Sequence, residues 1–354
     1  MDRFLKIKEM IFPRDVIVGH NAIEKLPELC DRIVGGSSSA LVVADKTTKK
    51  ILGDRTVKLL KKAGYSVRDI VISSPTMKEV KRVQRTVERH SVDFLLGVGG
   101  GSVIDVSKLA AYSTSKPFIS VPTVASHDGI ASPQASLKES NGSVSKKAVS
   151  PLAILADTAV IQHAPFRMLA SGCADVISNL SAVKDWELAH RLKNEEFSTY
   201  AVSLSKTAAI LLLENADIIK PNTEEAAWIA VKGMIVSGVA MSVAGNSRPA
   251  SGAEHMFSHV LDKMVPGKAM HGEQCGVGAI MMMYLHGGDW EEIKDALRKI
   301  GAPTTSKELR IPKRKIVEAL TLAHTIRPER YTILGESGLT KDAAKNVAKK
   351  TGVI

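Results

Sequence analysis

Three of the ten histidines form the clearest chemical pattern in the chain. His255 and His259 stand four apart in Gly252-Ala-Glu-His-Met-Phe-Ser-His259, and His271 opens His271-Gly-Glu-Gln. Residues at i and i+4 share one helix face, so two imidazoles there can point at a common centre. The pattern is not the HExxH of zinc proteases, because Glu254 precedes the pair and lies outside it. A divalent ion held by two imidazoles usually takes a carboxylate as its third ligand and keeps a position open for substrate. Glu254 and Glu273 are the local carboxylates. Asp175, in the small-residue stretch Ser171-Gly-Cys-Ala-Asp175, is a distant one, and spacing alone does not choose among them. The competing reading is a pair of satisfied structural histidines.

A second pattern concerns phosphate. Gly97-Val-Gly-Gly-Gly-Ser-Val-Ile-Asp105 follows an apolar run and precedes a helical one. Glycines at a strand-to-helix junction let the backbone approach a diphosphate, and the helix start offers unpaired N–H groups and a positive dipole end. The match to GxGxxG fails at Ser102, and no Gly-Lys-Ser/Thr follows, so neither the dinucleotide fingerprint nor a P-loop is present. Asp45, at the end of an earlier apolar run, reads equally as an acceptor for an adenosine ribose and as a helix cap.

These residues need elements that bring them together. Ala40-Leu-Val-Val-Ala-Asp45, Val67-Arg-Asp-Ile-Val-Ile72, Phe94-Leu-Leu-Gly-Val98, Phe118-Ile-Ser-Val121 and Ala153-Ile-Leu-Ala156 read as strands. Between them, 51–63, 76–90 and 102–114 carry helical spacing, with Thr76 as a candidate cap and Gly64 as a stop. Apolar strands alternating with helices predict a parallel sheet covered on both faces. Asn141-Gly142, between Gln134-Ala-Ser-Leu137 and 143–149, predicts a hairpin. After about Pro165 the strand signals vanish, and 201–213, 224–243 and 276–285 are apolar with helical period. The expected fold is an α/β domain over 1–163 and an all-helical domain over 164–354, with the ligand in the cleft between them.

Composition excludes several classes. The chain has 354 residues, 44% hydrophobic and 24% charged, which fits two folded domains and not a disordered chain. No uninterrupted apolar run reaches the roughly 20 residues of a membrane helix, and Met1 to Lys6 puts charges where a signal peptide is apolar. Three scattered cysteines with no CxxC pair make no disulfide framework, so a cytoplasmic location is expected. The net charge of +11 suits either nucleic acid or anionic small molecules. With 4% aromatic residues and no dense basic tract, no nucleic-acid partner is expected.

Five segments in one order, Gly99-Gly-Gly-Ser-Val-Ile-Asp105, Val121-Pro-Thr-Val-Ala-Ser-His-Asp-Gly129, Ser171-Gly-Cys-Ala-Asp175, Glu254-His-Met-Phe-Ser-His259 and His271-Gly-Glu-Gln, resemble the archaeal sn-glycerol-1-phosphate dehydrogenases. Glycerol dehydrogenase, iron-type alcohol dehydrogenases and 3-dehydroquinate synthase are the wider relatives, and the resemblance runs from about Phe12 to Tyr284. It implies a zinc ion held by Asp175, His255 and His271. It implies NAD(P)H contacts at Gly99, Gly100, Gly101, Ser102, Val103, Ile104 and Asp105, at Thr123, Val124, Ala125 and Ser126, and at Ser132, with Asp45 added by the ribose reading. Asp128 and His259 would meet the substrate and handle its proton, beside Asp175. Arg248 is the candidate for the substrate phosphate; its other reading is a solvated loop arginine. The implied reaction is reduction of dihydroxyacetone phosphate to sn-glycerol 1-phosphate for archaeal lipids, by a homo-oligomer. Glycerol dehydrogenase and 3-dehydroquinate synthase chemistry are the near alternatives, and a metal-free nucleotide-binding module is the distant one.

Overall fold

A computed structural model of the chain describes residues 10–36, 38–139 and 142–354. Its strands are β1 (Asp15–Gly19), β2 (Ser39–Ala44), β3 (Ser66–Val71), β4 (Phe94–Gly99), β5 (Phe118–Pro122), β6 (Gln134–Glu139), β7 (Gly142–Lys147) and β8 (Ala153–Asp157). Six of them form one sheet in the order β1-β8-β5-β4-β2-β3, parallel at every pairing. β6 and β7 form a separate antiparallel pair in which Glu139 faces Gly142. Asn141 of the expected turn lies outside the described residues, as does the charged segment Met1 to Lys6.

The apolar strands are buried on both faces. Leu41, Val43 and Leu95 pack on one side with Val80, Val83 and Ile104 of the helices Met77–Arg89 and Gly101–Ser113. Ala40, Val42 and Leu96 pack on the other with Leu26, Leu29 and Leu60 of the helices Leu26–Val34 and Asp54–Lys62. The period of two along a strand thus serves two layers of core, as the continuous apolar runs predict.

Two elements were not foreseen. β1 is a five-residue edge strand registered on β8 from Asp15↔Ala153 to Gly19↔Asp157, and its Val16 is 46% exposed. The helix Leu26–Val34 follows it. A short edge strand with one open side lacks the unbroken apolar signature of its neighbours.

The sheet order also locates a crevice. The chain steps from β2 outward to β3, then crosses back to place β4 on the other side of β2. Ligands of open α/β sheets bind at the carboxyl ends of the strands flanking such a reversal. Asp45 and Gly99-Gly-Gly101 stand at those two ends.

After Ile161 the described residues contain only helices and connecting turns. One helix, Glu224–Ala244, is long and apolar enough to cross a membrane, with mean hydropathy 1.6 over a window that is 78% buried within the fold. Lys232 interrupts its apolar sequence, so a search for unbroken runs passes over it. Most of its circumference is apolar because neighbouring helices cover it, with Trp228 and Lys232 left on the open side.

Candidate active site

Three helices deliver the candidate ligands. Asp175 lies near the end of Phe166–Ile177, His255 in the first turn of Ala253–Met264, and His271 at the start of His271–Leu285. Gly272 lets the third helix press directly on the first: a Cβ at this position would sit 1.9 Å from the Ser171 carbonyl oxygen. That contact carries His271 to Asp175.

The donor atoms converge. Asp175 Oδ1 is 3.6 Å from His255 Nε2 and 3.7 Å from His271 Nε2, and the two rings meet edge-on with centroids 4.9 Å apart. The outer nitrogens are engaged elsewhere. His255 Nδ1 donates to Glu254 Oε1 at 2.9 Å. Ser258 Oγ gives its own hydrogen to Gln274 Oε1 at 2.7 Å, so at 3.0 Å it accepts from His271 Nδ1. Both imidazoles therefore turn the lone pair of Nε2 toward Asp175 Oδ1, a tautomer assignment made from the hydrogen-bond network. Asp175 Oδ1 is itself buried and accepts no hydrogen bond. Three potential electron-pair donors converging on one point, with the outer imidazole nitrogens engaged elsewhere, fit a divalent cation.

Cys275 joins this group, with Sγ 3.6 Å from His271 Nε2 and all four donor atoms within 4.8 Å of one another. The sequence reading missed it, although it follows His271 by one helical turn. Burial first, then the charge of Asp175, holds the thiol well above its usual pKa, so it stays protonated beside the ligands.

His259 and Asp128 flank the cluster. The His259 ring tilts against that of His271 with centroids 5.9 Å apart, and its buried Nδ1 has no partner. Burial, then the neighbouring His271 and His255, pushes its pKa far down, so the ring is neutral. Asp128 Oδ2 accepts from Ser237 Oγ at 2.8 Å, and its N–H approaches Asp175 Oδ2 at 3.5 Å. Burial, then the charge of Asp175, raises the Asp128 carboxyl to about 6.

The glycine turn opens into the same cleft, of about 260 Å³, whose walls include Gly101, Ser102, Asp105, His127, Asp128, Ser132, Asp175, His255, His259 and His271. Gly100 precedes the helix Gly101–Ser113 as a cap without a side chain, which leaves the first N–H groups free for an anion. At Gly101 a Cβ would fall 1.8 Å from His127 Nε2, so a larger residue there would have to displace the His127 ring. Asp105 is anchored rather than free. Its Oδ2 accepts from the Ser136 N–H at 3.1 Å, and its Oδ1 lies 3.5 Å from the buried Lys108 Nζ.

The chain matches a family model described as iron-containing alcohol dehydrogenase over residues 17–165. Glycerol-1-phosphate dehydrogenase (NAD(P)+) of Methanosarcina acetivorans is 54% identical over 347 residues, 98% of this chain and 97% of that protein. The same enzyme of Thermococcus sibiricus is 50% identical over 354 residues, spanning all of both chains. The chain belongs to the glycerol-1-phosphate dehydrogenase family. The fold is shared more widely. Glycerol dehydrogenase from Schizosaccharomyces pombe superposes with a TM-score of 0.78 at 22% identity, covering 98% of this chain and 91% of that one. Sulfoacetaldehyde reductase from Bifidobacterium kashiwanohense, solved with NAD+, gives 0.74 at 18% identity, covering 98% and 99%.

Within this family member several expected contacts are placed elsewhere. Arg248 does not face the cleft: it is buried, its Nε donates to Glu195 Oε1 at 2.6 Å, Nη2 bonds Glu195 Oε2, and Nη1 bonds the Tyr331 carbonyl at 2.9 Å. It is neither a solvated arginine nor a free phosphate donor. Asp45 caps the turn Lys46–Thr48, its Oδ1 accepting from the Thr47 and Thr48 N–H groups at 2.8 Å each. Only Oδ2 is left for a ribose. Val103 and Ile104 are fully buried in the sheet's helical layer, and both N–H groups donate to the Gly100 carbonyl, so their side chains face the core. Thr123, Val124 and Ala125 are buried just beyond β5, whereas Ser126 is partly open. Lys138 and Arg327 are cations on the cleft wall that the sequence did not point to.

Proposed function

We propose that the chain reduces the C2 ketone of dihydroxyacetone phosphate with NAD(P)H to give sn-glycerol 1-phosphate, the backbone of archaeal membrane lipids, with zinc as its metal. One observation carries the reading: Asp175, His255 and His271 bring their donor atoms to one point in the cleft that the glycine turn enters. The names of the related dehydrogenases supply the substrate class. Residues 1–163 would hold the cofactor and 164–354 the metal and substrate; every candidate metal ligand lies in the second part.

When bound, the metal supplies a Lewis acid for the ketone and the reduced nicotinamide supplies the hydride. The rest falls to the chain. The N–H groups at Gly101 and Ser102 hold the diphosphate. His259, kept neutral, presents an imidazole N–H to the substrate oxygen and acts as a relay, one ring nitrogen giving its hydrogen to that oxygen as the other takes one from water. Asp128, held by Ser237, orients the neighbouring hydroxyl and links it to Asp175. Glu254 and Ser258 keep both ligand imidazoles in the tautomer that binds a cation.

The test is consumption of NADH or NADPH by purified protein with dihydroxyacetone phosphate, before and after chelation and zinc return, with chiral analysis of the product. Turnover that stops on chelation, returns with zinc and yields sn-glycerol 1-phosphate is expected. Reduction of dihydroxyacetone alone would overturn the reading.

A further inference from the structure

Two cations line the cleft among the described residues, Lys138 and Arg327. Lys138 is exposed on β6. Arg327 is partly buried and stands just beyond the short turn Ala323–Thr325. No hydrogen bond or ion pair satisfies its guanidinium among the described residues, although Glu329 acts on it from beyond bonding distance. Its charge reaches both His259 and His271, which places it at the metal end of the cleft.

The surroundings sharpen the imbalance. Arg248, Arg327 and Arg330 lie close enough to repel one another. Arg248 is neutralised by Glu195. Arg330 donates to the Ser251 carbonyl at 2.6 Å and to Ser247 Oγ at 3.0 Å, and is held without a carboxylate. Ser247 Oγ accepts that bond and keeps its own hydrogen to give; the Ser251 hydroxyl has no partner among the described residues. Both serines line the cleft beside Arg327. Burying a guanidinium among like charges without a counter-ion is costly, and a dianion in the cleft relieves that cost.

We propose that Arg327 binds the substrate's phosphate, with the Ser247 and Ser251 hydroxyls as further donors, and so sets the preference for a phosphorylated over an unphosphorylated ketone. The planar guanidinium fork suits two phosphate oxygens at once. This inference rests on the functional reading above and names the residue that reads the phosphate.

The experiment uses zinc-loaded enzyme saturated with NAD(P)H. It compares wild type, Arg327→Ala and Arg327→Lys on dihydroxyacetone phosphate and on dihydroxyacetone, with inorganic phosphate as inhibitor. In Arg327→Ala the ratio of kcat/KM for the phosphorylated over the plain ketone falls by about 10- to 100-fold, chiefly through KM, and phosphate inhibition weakens in proportion. Arg327→Lys keeps the charge without the fork and falls between. A ratio within about twofold of wild type, or phosphate inhibition that persists in Arg327→Ala, overturns the assignment. Should the alanine form not fold, Arg327→Gln is measured in its place, against the same two outcomes. A wild-type enzyme that ignores the phosphorylated ketone overturns the functional reading itself, and is recognised before any variant is made.

Discussion

Glu254 stands beside His255 with no solvent exposure, and its carboxylate has three partners. It accepts from His255 Nδ1 at 2.9 Å, from Ser181 Oγ at 2.8 Å and from the Gly252 N–H at 2.5 Å. A carboxylate behind a ligand imidazole fixes its tautomer and raises its basicity. Glu254→Gln is therefore expected to weaken metal binding by about 10- to 100-fold while the fold persists, measured by competition with a chromogenic chelator. Unchanged affinity would reduce Glu254 to a packing residue. The same site shows what spacing could and could not say. The His-x3-His pattern located the helix, yet of the pair only His255 points into the donor cluster; His259 lies alongside. Both nearby glutamates were plausible third ligands. Each is instead taken up at the start of its own helix, Glu254 by Gly252 and Glu273 by the Met270 N–H and Arg167. Helix starts draw carboxylates to free N–H groups, which leaves the distant Asp175 as the carboxylate facing the two imidazoles.

At the scale of elements, the contact between the helices His271–Leu285 and Phe166–Ile177 sets the site. Its tightest point is Gly272 against the Ser171 carbonyl, where backbone meets backbone and no side chain can move aside. Gly272→Ala forces the helices apart. The expected cost is about 1–3 kcal/mol, read as a melting temperature lower by several degrees, together with loss of metal content as His271 leaves Asp175. Normal metal content in that variant would show that the ligands tolerate the shift. The internal strands and their helices were legible because full burial gives unbroken apolar runs. Of the two edge strands, β3 was legible through Val67 and Ile70-Val-Ile72; β1 was not, its apolar run being only Val16-Ile-Val18. Asp45 was legible only as an ambiguity: the residue after a strand can serve a ligand or a helix start, and here one of its oxygens serves the helix.

Across the whole molecule, the candidate ligands come from three helices separated by up to 96 positions in the chain, from Asp175 to His271. A cation bound there stabilises only the folded arrangement, because the unfolded chain does not hold these groups together. Stripping it is expected to lower thermal stability, by up to about 4 kcal/mol where the free ion stands a thousandfold above its dissociation constant. Scanning calorimetry with chelator and then with added zinc measures this; identical melting curves would argue against a cation at these side chains. The contrast between Arg248 and Arg327 also belongs to this scale. Sequence proximity favoured Arg248, seven residues from His255, but the fold turns it inward to Glu195 and brings Arg327 from the far end of the chain to the cleft.

Lys108 has a consequence of its own. Its ammonium is wholly enclosed, extends from the helix that begins at the glycine turn, and donates to the carbonyls of Gly129 and Gln134 at 2.6 Å each. Gly129 adjoins Asp128. One enclosed side chain therefore clasps the helix that follows the glycine turn to the strip of backbone that carries Asp128. Coenzyme bound at the glycine turn is expected to steady that strip, and by thermodynamic reciprocity prior ketone binding is expected to tighten coenzyme binding, which coenzyme titrations with and without the ketone measure; equal affinities would argue against the link.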